Sequence, residues 1–116
     1  MDDPASICIG LVGPCKSGKS VLKQKLLEHG YCVKHIAQEH SFVKDMWKKI
    51  SNPDILVYLD VSYETTLKRS SLTWKEKDFQ VQIDRLKHAR EHADIIIQTD
   101  DLTPDEILSI VIEHLA

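Results

Sequence analysis

Residues 13–20 read GPCKSGKS, which places two glycines, a lysine and a serine at the spacing G-x-x-x-x-G-K-[ST]. Gly13 and Gly18 let the main chain turn tightly and approach a ligand without a Cβ atom in the way. The sequence becomes helical in pattern from about Gly18, and free N–H groups at a helix start add partial positive charge. This segment, called the 13–20 loop below, is therefore predicted to bind the phosphates of a nucleoside triphosphate.

Each residue of this pattern has an expected role. Lys19 would contact the β and γ phosphates as a compact cation, and the Ser20 hydroxyl would ligate the Mg²⁺ on the same oxygens. Lys16 is more typical of solvated surface, and Cys15 at the rim is at most a reactive thiol. The alternative is a glycine-rich turn without a ligand. The predicted nucleotide-binding residues are Gly13, Pro14, Cys15, Lys16, Ser17, Gly18, Lys19, Ser20 and Val21.

On both sides of the 13–20 loop, short apolar runs alternate with segments of helical spacing. Runs such as ICIGLV and ILVYL are apolar throughout, as in parallel strands buried on both faces. Strands are expected at 7–12, 31–37, 54–61 and 94–99. Helices are expected from about 18 to a glycine cap at 30, at 41–50, 62–69 and 75–92, and from Thr103 onward. Thr103, Pro104 and Glu106 would open the last helix with a capping box.

No two of these strands are close enough along the chain for a hairpin, so right-handed crossovers are expected. The predicted fold is a single α/β domain over 1–116, a three-layer α/β/α sandwich of about four parallel strands. The 41–50 helix would bury a stripe that contains Phe42, Met46 and Trp47 in the core. Pairing of this stripe with a second copy, in a homodimer, is the alternative.

Composition excludes several classes of function. The chain has 116 residues and a net charge of -3, without the basic excess of a nucleic-acid-binding protein. Its apolar runs are far shorter than the roughly 20 residues that cross a bilayer, and the start MDD lacks the basic residues of a signal peptide. We therefore expect a cytoplasmic protein that binds neither nucleic acid nor membrane.

The cysteines are three in number and form no C-x-x-C pair. An odd count argues against a disulfide framework, and the spacing argues against a zinc site. Cys8 and Cys32 are expected as ordinary apolar strand residues.

Three stretches together resemble the P-loop kinases, nearest the thymidylate and nucleoside kinase group. They are GPCKSGKSVLKQKL at 13–26, NPDILVYLDVSYETTLKR at 52–69 and RLKHAREHADIIIQTD at 85–100. The resemblance implies a minimal P-loop NTPase fold with sheet order 2-1-3-4, and Mg²⁺-dependent transfer of the γ-phosphoryl group of ATP to a small metabolite or nucleotide. It also implies Arg69 as the lid arginine that stabilises the moving group, with Arg85 second. Because only 31–53 occupies the family's substrate-binding interval, the acceptor stays open.

Two acids are candidates for the chemistry. If the strand at 31–37 lies beside the first strand, its end faces the 13–20 loop, and Glu39 could hold Mg²⁺ through water or accept a proton from the attacking hydroxyl. Its alternative role is that of a solvated loop residue, and His40 is expected as a cap or surface residue. Asp60 ranks below Glu39. The expected catalytic residues are Lys19, Glu39 and Arg69, and the expected metal ligands are Ser20 and Glu39.

A second function fits the short middle region. The chain could be a nucleotide-binding module or switch without efficient phosphoryl transfer. A GTPase-type switch is less well supported, because the sequence has neither the N-K-x-D guanine signature nor a D-x-x-G strand end.

Overall fold

Four parallel strands form the sheet in the computed structural model, which describes residues 7–69 and 73–115. The strands are β1 (Cys8–Val12), β2 (Cys32–His35), β3 (Ile55–Asp60) and β4 (Ile95–Gln98). Their spatial order is β2-β1-β3-β4, and every neighbouring pair is parallel. Both the strand pattern and the expected order 2-1-3-4 are confirmed.

Within the described residues, four α-helices connect and follow the strands. They are α1 (Lys19–Glu28), α2 (Tyr63–Arg69), α3 (Glu76–His92) and α4 (Pro104–Leu115). The start of α4 has the predicted capping box: the Thr103 N–H donates to Glu106 Oε1 at 2.9 Å, and the Glu106 N–H donates to Thr103 Oγ1 at 3.2 Å. None of the helices in the described residues has the length and apolar character needed to cross a membrane.

Helices cover both faces of the sheet. On one face, strand residues such as Leu11 and Val57 pack against Leu22 and Leu26 of α1 and against α4. On the other face, Leu56 and Tyr58 of β3 pack against Leu86 of α3 and against Trp47. Consecutive residues of β3 thus point to opposite cores, which explains why its sequence is apolar throughout. The three-layer α/β/α arrangement is as predicted.

The helix predicted at 41–50 is wrong. A 3-10 turn over Gln38–His40 and a π-helical turn over Trp47–Ser51 occupy this region instead. Ser41, where the predicted helix would begin, accepts a local hydrogen bond at its Oγ from the Val43 N–H at 3.1 Å. The predicted buried stripe is divided: Trp47 is buried, whereas Phe42 is 88% exposed. Helical spacing alone was an insufficient guide here.

The expectation that Cys8 and Cys32 are unpaired is also wrong. The two residues are direct partners in the register of β1 and β2, with their Cα atoms 4.5 Å apart, and a disulfide joins them. Neighbouring strands lie at a separation that a disulfide can bridge. The odd number of cysteines was a misleading signal, because two of the three pair with each other and Cys15 is left free.

Candidate functional site

The 13–20 loop joins the end of β1 to the start of α1. The Ser17 N–H donates to the Pro14 carbonyl at 3.2 Å and closes a turn, and Gly18 takes a left-handed conformation (φ 103°) just before the helix. The first N–H groups of a helix have no partner within the helix. Among the described residues, the N–H groups of Gly18, Lys19 and Ser20 find no other protein acceptor. They remain available to an anion.

Gly13 lies where the main chain passes close to the neighbouring strand β3. A Cβ atom at this position would lie 2.5 Å from the Leu59 carbonyl oxygen and 2.8 Å from Ser17 Oγ. Any side chain here would displace the main chain that forms the loop. Ser17 is itself fully buried, and its hydroxyl has no hydrogen-bond partner among the described residues.

Replacing Gly13 tests this close approach. We expect Gly13→Ala to lower the free energy of unfolding by about 3 kcal/mol, because the methyl group collides with main-chain atoms that cannot rotate away. Gly30→Ala is the matched control, since its φ is also positive (86°) but a Cβ there meets nothing within 4 Å. Strain alone should cost the control about 1 kcal/mol. Urea unfolding measures both, and equal losses would contradict the packing argument.

Lys19 and Glu39 form a buried ion pair beside the 13–20 loop. Lys19 Nζ lies 2.5 Å from Glu39 Oε2 and also donates to the Gly13 carbonyl oxygen. The two side chains are only 6% and 5% exposed. The other carboxylate oxygen, Glu39 Oε1, is buried without a partner among the described residues. The expected lysine and the expected acid thus meet at the carboxyl ends of neighbouring strands.

Several contacts hold Glu39 in this place. The turn that carries it follows β2 directly, and the adjacent Gln38 side chain donates to the Val43 carbonyl and accepts from the Trp47 N–H. Arg85 of α3 donates to the main-chain carbonyl of Glu39 at 3.3 Å. Arg85 therefore positions the turn, and it does not line the cavity beside the loop.

Arg69, at the end of α2, connects the loop to the end of β4. Its guanidinium donates to the Lys16 carbonyl at 3.0 Å, to the Thr99 carbonyl at 2.6 Å and to Thr99 Oγ1 at 3.2 Å. These bonds fix a positive charge at the rim of the 13–20 loop.

Asp60 points to a different part of the molecule. Its carboxylate oxygen Oδ2 lies 3.9 Å from the Arg90 guanidinium on α3, and its main-chain carbonyl accepts from Thr99. Asp60 does not line the cavities beside the loop. Of the two candidate acids, only Glu39 is brought to Lys19.

Two cavities meet at the 13–20 loop. The larger, of about 660 Å³, lies between the loop and the end of β2, and its lining includes Lys19, Ser20, His35 and Glu39. The smaller, of about 200 Å³, lies between α1 and the start of α4, where Leu102, Pro104 and Ile107 make its wall apolar. Both share the lining residues Ser17, Gly18, Val21 and Arg69. The two cavities are thus adjacent along one surface.

His35 contributes an imidazole to the larger cavity. Partial burial lowers its pKa below the usual 6.5, and the positive charge of Lys19 lowers it further. The cations Lys16, Lys19 and Arg69 also line this cavity.

Two site residues were missed from the sequence. Gln82 is buried in α3, where its side-chain oxygen accepts from the Cys15 N–H at 2.9 Å and so anchors the 13–20 loop. Thr99 accepts from Arg69 and donates to the Asp60 carbonyl. The sequence did contain a signal for Gln82. It is a polar residue at a position of the inner helix face, three residues after Phe79 and four before Leu86.

Comparison with known proteins gives no family for this chain. No protein-family model matches it, and no curated protein matches it. The kinase resemblance therefore stays a prediction from the motifs.

Proposed function

We propose that this protein binds a nucleoside triphosphate at the 13–20 loop and transfers its γ-phosphoryl group to a small acceptor. One observation carries the proposal. Lys19, at the end of a loop whose N–H groups at 18–20 have no acceptor among the described residues, lies against a buried carboxylate at the carboxyl ends of β1 and β2. Loops of this kind bind phosphate, and ligands of parallel sheets bind at the carboxyl ends of the strands, where this carboxylate lies.

Nucleotide binding would use groups that are already in place. The N–H groups of Gly18, Lys19 and Ser20 would donate to phosphate oxygens, and Lys19 would exchange Glu39 for the more highly charged phosphates. The apolar cavity beside α4 has a size and a wall suited to a flat nucleobase, next to the shared residues Ser17 and Gly18. This arrangement supports ATP, or another nucleoside triphosphate, as the ligand.

The donor set fits a magnesium ion. Mg²⁺ prefers oxygen ligands, and the Ser20 hydroxyl and the Glu39 carboxylate lie in the wall of one cavity. Glu39 Oε1 is a buried oxygen without a partner among the described residues, as expected of a group that binds a cation directly or through water. When bound, Mg²⁺ neutralises charge on the phosphate oxygens.

For transfer, the acceptor hydroxyl would lie in the larger cavity, near Glu39. Its oxygen forms a bond to the γ-phosphorus as the bond to the β-phosphate bridging oxygen breaks, and Glu39 takes the hydroxyl proton. Lys19 and Arg69 would stabilise the negative charge on the moving group from two sides. A nucleoside diphosphate and a phosphorylated acceptor are the products.

The test is a two-stage assay on the full chain. Calorimetric titration with ATP and Mg²⁺ should show binding, and labelled ATP with a panel of nucleosides, nucleoside monophosphates and small alcohols should yield a labelled acceptor. Binding without transfer to any acceptor would favour the second function, a nucleotide-binding module. The absence of ATP and GTP binding would overturn both.

Arg69 offers a sharper test of transfer. We expect Arg69→Ala to reduce the transfer rate about 100-fold or more, because a preorganised donor to the moving group is lost. Lys68→Ala, which removes the neighbouring exposed cation of α2, is the matched control and should retain the wild-type rate. Labelled-ATP assays compare the two variants under conditions in which urea unfolding curves show that both are fully folded. Similar rates for both variants would remove Arg69 from the proposed chemistry.

Other expectations from the sequence stay predictions. They are the cytoplasmic location, the absence of nucleic-acid and membrane partners, and the alternative of a homodimer.

A further inference from the structure

Three metal-binding side chains of different chemistry converge at the rim of the 13–20 loop. Cys15 Sγ, a carboxylate oxygen of Glu39 and a ring nitrogen of His40 all lie within 4.8 Å of one another. Cys15 belongs to the loop, whereas the other two belong to the turn after β2. We call this group the Cys15–Glu39–His40 cluster. Its sulfur and imidazole nitrogen are not ligands that Mg²⁺ prefers.

The separations are close to those of a tetrahedral zinc centre. Cys15 Sγ lies 3.7 Å from His40 Nε2, and His40 Nε2 lies 3.8 Å from Glu39 Oε2. Zinc bonds of about 2.3 Å to sulfur and about 2.0 Å to nitrogen or oxygen, at tetrahedral angles, place neighbouring ligand atoms about 3.3 to 3.6 Å apart. Both distances to His40 Nε2 would therefore shorten by only a few tenths of an ångström on zinc binding, while the third pair, Cys15 Sγ and the Glu39 oxygen, lies within 4.8 Å.

The surroundings of Cys15 and Glu39 favour metal binding. Gln82 accepts from the Cys15 N–H and donates to Cys15 Sγ at 3.2 Å, which orients the sulfur. Glu39 is 4% exposed, and its Oε1 atom is buried without a partner among the described residues. His40, by contrast, is exposed and gives an ion access from solvent. Gln82 thus holds the Cys15 sulfur, and His40 is open to water. Glu39 has one carboxylate oxygen in contact with Lys19 and the other without a partner among the described residues.

We propose that the Cys15–Glu39–His40 cluster binds Zn²⁺ or a similar thiophilic divalent cation, with a fourth position left to water. Ligand softness separates this site from a magnesium site, because a thiolate and an imidazole select zinc over magnesium. An ion bound here would also occupy the Glu39 carboxylate. If the proposed phosphoryl transfer is correct, occupancy by Zn²⁺ inhibits it, and this consequence alone rests on the proposed function.

Cobalt provides a direct readout that needs no nucleotide. Titration of the full chain with Co²⁺ should produce a thiolate-to-cobalt charge-transfer band, which Zn²⁺ should then abolish by displacement. Cys8 and Cys32 are joined to each other, so Cys15 is the thiol that can give this band. Cys15→Ser should lose the band, and His40→Ala should weaken cobalt binding at least about 10-fold.

His92→Ala is the matched control. His92 is an exposed histidine stacked on His88 of α3, outside the cluster, and its removal should leave the band and the affinity unchanged. Circular dichroism checks that every variant is folded. The proposal is overturned if no band forms, if Cys15→Ser keeps it, or if His40→Ala and His92→Ala weaken binding equally. A band in a protein that transfers no phosphoryl group would reject the proposed function and keep the metal site.

Discussion

Replacing Lys19 by methionine is expected to weaken ATP binding by at least about 30-fold. Removing one partner of a buried, hydrogen-bonded charge pair costs about 2 kcal/mol or more, and each 1.4 kcal/mol is about tenfold in affinity. Lys19 is 6% exposed, so little water can take the place of its ammonium group beside the phosphates. Calorimetric titration with ATP and Mg²⁺ measures the change directly.

The same substitution should also destabilise the protein without nucleotide. Glu39 would keep its buried charge with no cation beside it, which costs about 3 kcal/mol or more in comparable buried pairs. The double variant Lys19→Met/Glu39→Gln removes both charges and should recover most of this stability without recovering ATP affinity. Urea unfolding and calorimetry on both variants therefore separate the structural role of Lys19 from its role toward the ligand.

Lys23→Met is the control for general loss of charge. Lys23 lies one turn further along α1 and lines neither cavity, so its removal should leave ATP affinity within about twofold. Wild-type affinity in Lys19→Met, or equal losses in Lys19→Met and Lys23→Met, would show that the 13–20 loop does not bind phosphate through this lysine.

Local sequence signals predicted the elements whose contacts are local. The capping box joins Thr103 and Glu106, which are three positions apart, and the glycines of the 13–20 loop affect the conformation of their own main chain. The helix at 41–50 failed for the opposite reason. The Gln38 side chain, which lies outside that window, binds the main chain at both Val43 and Trp47 and holds the segment as a turn.

The residues of the candidate site also differ in whether the sequence could predict their contacts. The meeting of Lys19 and Glu39 followed from strand adjacency, because the ends of two neighbouring parallel strands lie at one edge. Gln82 could not be found by this reasoning, since its contact with Cys15 joins residues 67 apart in sequence, across the layer between α3 and the loop. The register of β1 and β2, which pairs Cys8 with Cys32, also depends on tertiary packing.

Glu39→Gln should separate transfer from binding. The variant keeps the shape of the side chain but cannot accept the acceptor's proton, and loss of a general base reduces rates about 100- to 10,000-fold. Measured without Mg²⁺, ATP affinity should be no weaker than in the wild type, because Lys19 no longer has to leave a carboxylate to reach the phosphates. With Mg²⁺ present, loss of the metal contact proposed for Glu39 should lower the affinity. Labelled-ATP transfer and calorimetry, run on the same preparation, give the two values.

Asp60→Asn is the matched control for Glu39→Gln. Asp60 is also an acid after a parallel strand, but its carboxylate faces Arg90 on α3, so its removal should change neither transfer nor binding by more than about twofold. A parallel fall of ATP affinity and transfer in Glu39→Gln, without Mg²⁺ as well as with it, would mean that Glu39 holds the nucleotide itself and is not the proton acceptor. Loss of transfer in Asp60→Asn, with Glu39→Gln active, would move the proton acceptor to β3. A general base at the end of β2 requires that Glu39→Gln loses transfer but keeps its ATP affinity without Mg²⁺. It also requires that Asp60→Asn keeps both transfer and affinity.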